Sequence, residues 1–192
     1  MKVLFSAIVL ASSLSAFAGT DICSINYIQK DSTLGWTAFK TPKKVGVKGQ
    51  FTKFNITTQK ATTVDELLEN AKFEINSDSV STNDKGRDVK IFNFFFKAMK
   101  TGKTITGTVV GVKADTVDAE FTMNGVTKPV VLSKKVDAIK KTVTLSGGIN
   151  VLDFGLKSNL ASITKACYDL HEGVTWPDVN VEIVASYKTT CK

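Results

Sequence analysis

Few residues of this chain have types and spacing that could support catalysis. Histidine occurs once, at His171, and cysteine three times, at Cys23, Cys167 and Cys191. There is no second His and no Cys-x-x-Cys segment, so the common zinc-ligand spacings are missing from the sequence. No Gly-x-Ser-x-Gly segment supplies the nucleophile turn of a hydrolase. The sequence therefore predicts no catalytic residue, no metal site, no cofactor and no enzymatic activity.

The basic residues are not arranged as a nucleic-acid site. The 192 residues include 25 Lys and Arg against 18 Asp and Glu, giving a formal net charge of +7, but the only arginine is Arg87. Nucleic-acid surfaces favour clustered Arg beside stacking aromatic rings, whereas scattered Lys are typical of a solvated sheet exterior. We expect no nucleic-acid partner, although the charge permits transient attraction to an anionic membrane surface.

Residues 1–18 have the pattern of a cleaved secretory signal. Lys2 precedes an apolar run over 3–14, and Ala16-Phe17-Ala18 has the small-x-small form of a cleavage site. The run is shorter than the ~20 residues of a membrane-spanning helix. We therefore predict an exported protein whose single domain covers residues 19–192.

Export places three cysteines in an oxidising compartment, where an odd number allows one internal bridge and one free thiol. If the first and last strands are antiparallel neighbours, as in a closed barrel with an even number of strands, Cys23 and Cys191 meet. We predict that they form a disulfide. Cys167 continues an apolar series at helical spacing, which favours a buried, inert thiol.

Period-two patterns dominate the rest of the chain and predict a mainly β, antiparallel barrel or sandwich of eight or nine strands. Asn124-Gly125 between two of the runs indicates a tight hairpin. Helical patterns cover 64–70 and 156–171, and 84–100 fits helix, strand or both. The strand runs are 34–40, 44–58, 71–81, 103–113, 116–123, 126–135, 141–151 and 179–190.

The aromatic and aliphatic content has two interpretations. A closed barrel of about eight strands can be filled by its own side chains or can hold one small ligand. A packed core and an apolar tunnel have the same composition, so both remain open from composition alone.

Four segments follow one another in a recognisable order. They are YIQKDSTLGWTAFKTPKKVGVKGQFTKF from Tyr27, SVSTNDKGRDVKIFNFFF from Ser79, AEFTMNGVTKPVVL from Ala119 and INVLDFG from Ile149. Together they resemble the YceI-like family. Within them, Arg87-Asp88, Phe95-Phe96 and Asp153-Phe154-Gly155 match family elements. The 156–171 helix is longer than the simplest family pattern.

The resemblance implies an extended, lipocalin-like antiparallel β-barrel of about eight strands, with one longer C-terminal α-helix and short helices. It also implies a periplasmic location, a homodimer and an apolar tunnel for a long-chain isoprenoid, isoprenoid quinone or fatty amphiphile. A stress-linked periplasmic interaction protein with a filled core is the alternative. Arg87 is a candidate head-group contact or a structural ion-pair partner. Our candidates for the tunnel wall are Trp36, Phe39, Phe94, Phe96, Phe121, Met123, Phe154, Ile163 and Trp176.

Overall fold

In the computed structural model, which describes residues 23–191, ten β-strands form one curled antiparallel sheet. The predicted signal at residues 1–18 lies outside the described residues. The strands are β1 (Cys23–Lys40), β2 (Val45–Phe51), β3 (Phe54–Thr57), β4 (Lys72–Asn76), β5 (Val80–Ser81), β6 (Thr104–Val112), β7 (Thr116–Met123), β8 (Val126–Asp137), β9 (Thr142–Asn150) and β10 (Thr175–Cys191). The helices are α1 (Val64–Leu68), α2 (Lys85–Ile91), α3 (Lys157–Ala166) and α4 (Tyr168–His171).

The two edges of the sheet lie beside each other because each edge strand directly follows another strand along the chain. Its strand order is β3-β4-β6-β7-β8-β9-β10-β1-β2-β5, and β2 runs into β3 while β4 runs into β5. The amide of Thr52 donates to the Ser79 carbonyl at 3.1 Å, and the amide of Asn76 donates to the Lys53 carbonyl at 3.0 Å. These bonds bridge the interruption, so two bent strands and six others close the sheet on itself. The predicted runs 44–58 and 71–81 correspond to the two bent strands.

Because neighbouring strands run in opposite directions, every segment that connects two strands lies at one of the two ends of the barrel. The end that we call the disulfide end carries α1 and the bond between Cys23 and Cys191, which face each other across β1 and β10. The structure thus contains the predicted bridge, and its physical basis is the antiparallel pairing of the first and last strands. The other end, the helical end, carries α2, α3 and α4.

The Asn124-Gly125 turn lies at the helical end, where it joins β7 to β8 as predicted. Both residues have positive φ, 56° and 78°, which is the backbone that a type I′ turn requires. The Asn124 side chain also donates to the Phe154 carbonyl at 3.0 Å and accepts from the Lys100 amide at 2.7 Å. The hairpin therefore anchors the segments that enter and leave the helices.

The helical segments differ from the expectations in detail. The ambiguous region 84–100 is helical: α2 continues into a π-helical turn, Phe92–Phe96. The helix predicted over 156–171 is broken at Cys167, whose φ of −123° lies outside the helical region. The apolar face continues up to Cys167, which is buried, but Leu170 beyond the break is 60% exposed. No helix within residues 23–191 is long and apolar enough to cross a membrane.

An apolar cavity at the helical end of the barrel

The barrel contains a cavity of about 500 Å³. Inward-facing side chains of β1, β2, β4, β6, β7, β9 and β10 form its walls, and α2, the π-helical turn, α3 and α4 cover it at the helical end. Protein interiors have few voids larger than a water molecule. A space of this size is therefore a built feature of the fold rather than a packing defect.

The cavity occupies only part of the barrel. Toward the disulfide end, Val117, Leu132 and Val143 are fully buried and do not line the cavity. Below them, α1 buries Leu67 against a cluster of Ile25, Ala61 and Tyr187. The disulfide end is thus a packed core, and the cavity is closed at its base.

Aromatic rings form part of the wall and of the cover of the cavity. Phe73 and Phe121 meet edge to face, with their ring centres 5.0 Å apart. Phe51 meets Phe96 at 5.7 Å and Phe95 meets Phe96 at 5.1 Å, both edge to face. These arrangements are the preferred geometry of aromatic pairs, so the rings stabilise one another as well as making the lining apolar.

The α3 helix is held over the cavity by a buried polar contact. The Asn159 side chain is buried and donates to the Phe95 carbonyl at 2.7 Å. On the same helix, Leu160 and Ile163 line the cavity, followed by Cys167. The hydrogen bond therefore fixes the roof of the cavity to the π-helical turn.

The mouth lies where cavity-lining residues are also exposed, and it is polar. The exposed lining residues are Asp84, which directly precedes α2, then Gly86, Arg87 and Lys90 of α2, and Leu170 of α4. Three half-buried residues, Lys40, His171 and Thr175, complete this rim. The cavity thus combines an apolar interior with a charged opening.

Hydrogen bonds and ion pairs organise the rim. The Lys40 ammonium donates to the Leu170 carbonyl at 3.1 Å and joins β1 to α4. Asp84 Oδ1 accepts the backbone N–H of Arg87 at 3.0 Å, and Asp84 Oδ2 lies 3.4 Å from the Arg87 guanidinium. The backbone bond is the main cause that lowers the pKa of Asp84 below its usual value. The Asp84 carboxylate is therefore already partnered at the start of α2.

His171 is held in a half-buried position at the rim. Its Nδ1 lies 2.7 Å from the Thr175 hydroxyl. Burial, together with the positive charges of Lys40 and Lys90, lowers the pKa of His171 below its usual value. The imidazole is consequently neutral at pH 7.

Outside the rim, Lys44 contacts two aromatic rings that line the cavity. The Lys44 ammonium lies 5.3 Å from the centre of the Phe39 ring and 5.0 Å from that of Trp176. Lys44 also pairs with Asp178 at 3.1 Å. Trp176 is fixed further because its Nε1 donates to the Thr41 carbonyl at 2.8 Å.

Most of the candidates named from the sequence lie at this cavity. Phe94 does not line it, because its place in the π-helical turn leaves it 40% exposed. Phe154 does not line it either, because it is 1% exposed and packed in the core beside the Asn124 hairpin. The candidates that line the cavity are Trp36, Phe39, Arg87, Phe96, Phe121, Met123, Ile163 and Trp176.

Sequence reasoning missed the other polar residues of the rim and several aromatic side chains of the cavity lining. Lys40, Lys90 and His171 come from β1, α2 and α4, and no local pattern brings them together. Phe73 had a detectable signal, because it alternates with polar residues in the predicted 71–81 run. Within residues 23–191 no cluster of His, Cys, Asp and Glu is suited to a metal ion.

Comparison with known proteins identifies relatives by sequence pattern and by fold. The family model described as YceI-like domain matches residues 27–187. No curated protein matches the chain in a direct comparison.

Several solved structures share the fold. BcnA of Burkholderia cenocepacia is 15% identical with a TM-score of 0.62, covering 85% of this chain and 99% of its own. A polyisoprenoid-binding domain from Saccharophagus degradans, described as implicated in plant cell wall breakdown, is 17% identical with a TM-score of 0.60, covering 89% of this chain and 100% of its own. The YceI protein of Campylobacter jejuni is 19% identical with a TM-score of 0.57, covering 95% and 99%.

Proposed function

The chain belongs to the YceI-like domain family, and on that premise we propose that it is an exported, non-enzymatic protein that carries or sequesters a long-chain amphiphile. The ligand is an isoprenoid, an isoprenoid quinone or a fatty amphiphile. Its tail occupies the cavity and its head group remains at the rim. The polyisoprenoid-binding domain of similar fold supports this ligand class.

The observation that carries the proposal is the large apolar cavity with a polar opening. A protein that needs only a stable core gains nothing from an unfilled space of about 500 Å³, because unfilled volume lowers stability. Each methylene moved from water into such a space contributes about 0.8 kcal/mol. A tail can therefore bind tightly without any catalytic group.

The cavity volume limits the length of the buried tail. An engineered cavity of about 150 Å³ holds benzene, which corresponds to roughly 25 Å³ per carbon atom. On that scale, a cavity of about 500 Å³ holds roughly 20 carbons. This capacity suits a single fatty chain or about four isoprene units, and the rest of a longer isoprenoid would extend beyond the mouth.

The closed base gives the ligand one orientation. Because Val117, Leu132 and Val143 fill the barrel toward the disulfide end, the ligand enters and leaves through the helical end. The tail goes in first, since a head group pushed to the base would lose its hydration among apolar side chains. The head group then lies near Arg87, which also pairs with Asp84.

The cellular setting follows from the same features. The Cys23–Cys191 disulfide suits an oxidising compartment such as the periplasm, in agreement with the signal predicted at residues 1–18. Transient contact with an anionic membrane surface would allow ligand exchange. Family resemblance suggests a homodimer.

The alternative, a stress-linked interaction protein, requires a filled barrel. Only the disulfide end meets that requirement, since the cavity takes up the helical end. The carrier proposal accounts for both halves, and we therefore favour it.

Binding can be measured through tryptophan fluorescence, because the chain's two Trp residues, Trp36 and Trp176, both line the cavity. The protein is stripped of lipid with organic solvent, refolded and titrated with hexadecanol carrying bromine on its chain, a quencher of indole fluorescence. We expect saturable quenching at one molecule per chain. Mass spectrometry of the solvent extract identifies the natural ligand, and an absence of both quenching and extracted amphiphile would refute the proposal.

A matched pair of variants tests whether the cavity is the binding site. Ala38 lines the cavity, whereas Val131 on β8 is 62% exposed and does not. Ala38→Phe should abolish or strongly weaken quenching, because the added ring occupies the volume needed by the tail. Val131→Phe should leave quenching unchanged, and equal losses in the two variants would argue against this site.

A further inference from the structure

We propose that the rim of the cavity selects amphiphiles with an anionic head group over neutral ones of the same chain length. This inference rests on the proposed function, because it concerns the head group of a ligand whose tail fills the cavity. A carboxylate and a phosphate monoester share the required chemistry.

The rim has more positive than negative side chains. Lys40, Arg87 and Lys90 line the opening, and Asp84 is the one carboxylate among the lining residues that the structure describes. Asp84 already accepts the Arg87 backbone N–H and faces the Arg87 guanidinium. The charge of Lys90 also acts on Asp84, but one carboxylate cannot balance three cations, so the rim keeps a net positive charge.

The two lysines come from different elements of the rim. Lys90 lies on α2, and it forms no ion pair within residues 23–191. Lys40 ends β1, and the only hydrogen bond of its ammonium within residues 23–191 is to the Leu170 carbonyl, which leaves N–H donors for a ligand. An ammonium has three donors and no acceptor.

His171 reports the field that these lysines create. Both Lys40 and Lys90 act on its imidazole and disfavour a positive charge there. The same field favours a negative charge at that position. The imidazole is neutral, so it can donate or accept a hydrogen bond without adding a repulsive or attractive charge of its own.

The surroundings strengthen this preference. Lys40 and His171 are half-buried beside the apolar lining, where screening by water is weaker than on an open surface. Hydrogen bonds from a cation to an oxyanion are about twice as strong as neutral ones. A hydroxyl head group can accept a hydrogen bond from an ammonium, but it carries no negative charge and forms no ion pair with the rim.

The test compares three ligands that differ only at the head group. Hexadecanol, hexadecanoic acid and hexadecyl phosphate compete at pH 8 and low salt against the brominated hexadecanol probe. We expect both anions to bind at least tenfold more tightly than the alcohol, and added salt to reduce this difference. Equal affinities would overturn the head-group proposal alone, whereas failure of every ligand to bind would overturn the proposed function as well.

Paired charge variants assign the effect to the rim. Lys40→Gln with Lys90→Gln should weaken the binding of the acid at least tenfold and weaken that of the alcohol by a clearly smaller factor. Lys135→Gln with Lys141→Gln removes the same charge from exposed positions outside the cavity and should change neither affinity. The single variant Lys90→Gln breaks no ion pair and should therefore fold normally. It should still weaken the binding of the acid more than that of the alcohol. Equal effects of the rim and control pairs on the acid would overturn the proposal.

Discussion

Phe73 lies directly opposite Gly107 across β4 and β6, and a Cβ atom at residue 107 would stand 2.1 Å from the Phe73 ring. Trp36 and Gly49 repeat this relationship across β1 and β2, where the corresponding distance is 2.2 Å. In both pairs the ring covers the glycine and also lines the cavity. Because neither glycine has a side chain, the Phe73 and Trp36 rings can lie against the neighbouring strand rather than further into the cavity.

Gly107→Ala should displace the Phe73 ring toward the cavity. We expect a loss of about 1–3 kcal/mol in the free energy of unfolding, as for other overpacked cores, and weaker quenching by the brominated probe. Urea unfolding and probe titration measure the two effects. Gly148→Ala is the control, because its new Cβ would meet nothing closer than the Asn180 Oδ1 at 3.8 Å; a similar loss there would contradict the explanation.

The disulfide should contribute strongly to stability. It joins residues 168 positions apart, so its loss releases a long loop in the unfolded chain. We expect the double variant Cys23→Ser with Cys191→Ser to lose about 2–5 kcal/mol. Thermal unfolding with and without reductant provides the check: reductant should lower the Tm of the original protein but not that of the double variant.

One ion pair near the disulfide end should matter more than the others. The Lys134 ammonium lies 2.6 Å from Asp65 Oδ1 with its side chain only 4% exposed, and it joins β8 to the first turn of α1. Asp65→Asn leaves that ammonium without its anionic partner, at a cost of about 1–3 kcal/mol. Asp137→Asn breaks the Lys140 pair, which spans 3.8 Å with an exposed lysine, while the Asn oxygen still accepts from the Ile139 and Lys140 amides. Its loss should be clearly smaller, because exposed ion pairs contribute little. Chemical denaturation compares them, and equal losses would refute the distinction.

His171 should report the charge of a bound head group. It is the only histidine, so one imidazole NMR signal follows its titration once any affinity tag is removed. An anionic amphiphile should raise the pKa of His171 by stabilising the imidazolium amid Lys40, Lys90 and the Asp84–Arg87 pair. Hexadecanol should not raise it, because a neutral ligand only excludes water. A rise with both ligands would contradict this explanation.

The same histidine predicts the direction of one pH effect on stability. Because the pKa of His171 is lowered in the folded protein, the unfolded chain takes up its proton first as the pH falls. Stability should therefore decrease as the pH drops below about 6.5, the usual pKa of His. His171→Gln should reduce that decrease, which urea unfolding at several pH values would reveal.

Alternation along the chain was enough to predict the sheet. Each strand has one buried and one solvated face, and this period-two pattern is written locally in residues such as Val117, Ala119, Phe121 and Met123. The bends themselves were not predicted: at the first one the less exposed positions pass from Phe51 to Phe54, which interrupts the alternation. The Asn124-Gly125 turn was equally predictable, since positive φ favours these two residue types.

The break at Cys167 was not predictable from spacing. The apolar series through 156–171 fits one continuous helix. In the structure, however, the backbone leaves the helical conformation at Cys167, and Tyr168 and Leu170 beyond it are exposed. Phe94 and Phe154 show the same limit. Both are aromatic and lie in segments that resemble the family, yet one is 40% exposed and the other fills the core.

Taken alone, the sequence determined the mainly β class, the inward faces of the strands and, given a barrel, the pairing of Cys23 with Cys191. These properties depend on short-range alternation or on the meeting of the first and last strands. Only the tertiary structure decided that the disulfide end is filled while the helical end is hollow, and that Lys40 and Lys90 share one rim. An apolar side chain has the same pattern whether it meets another side chain or an open space, and the difference depends on distances among strands and helices far apart in the chain.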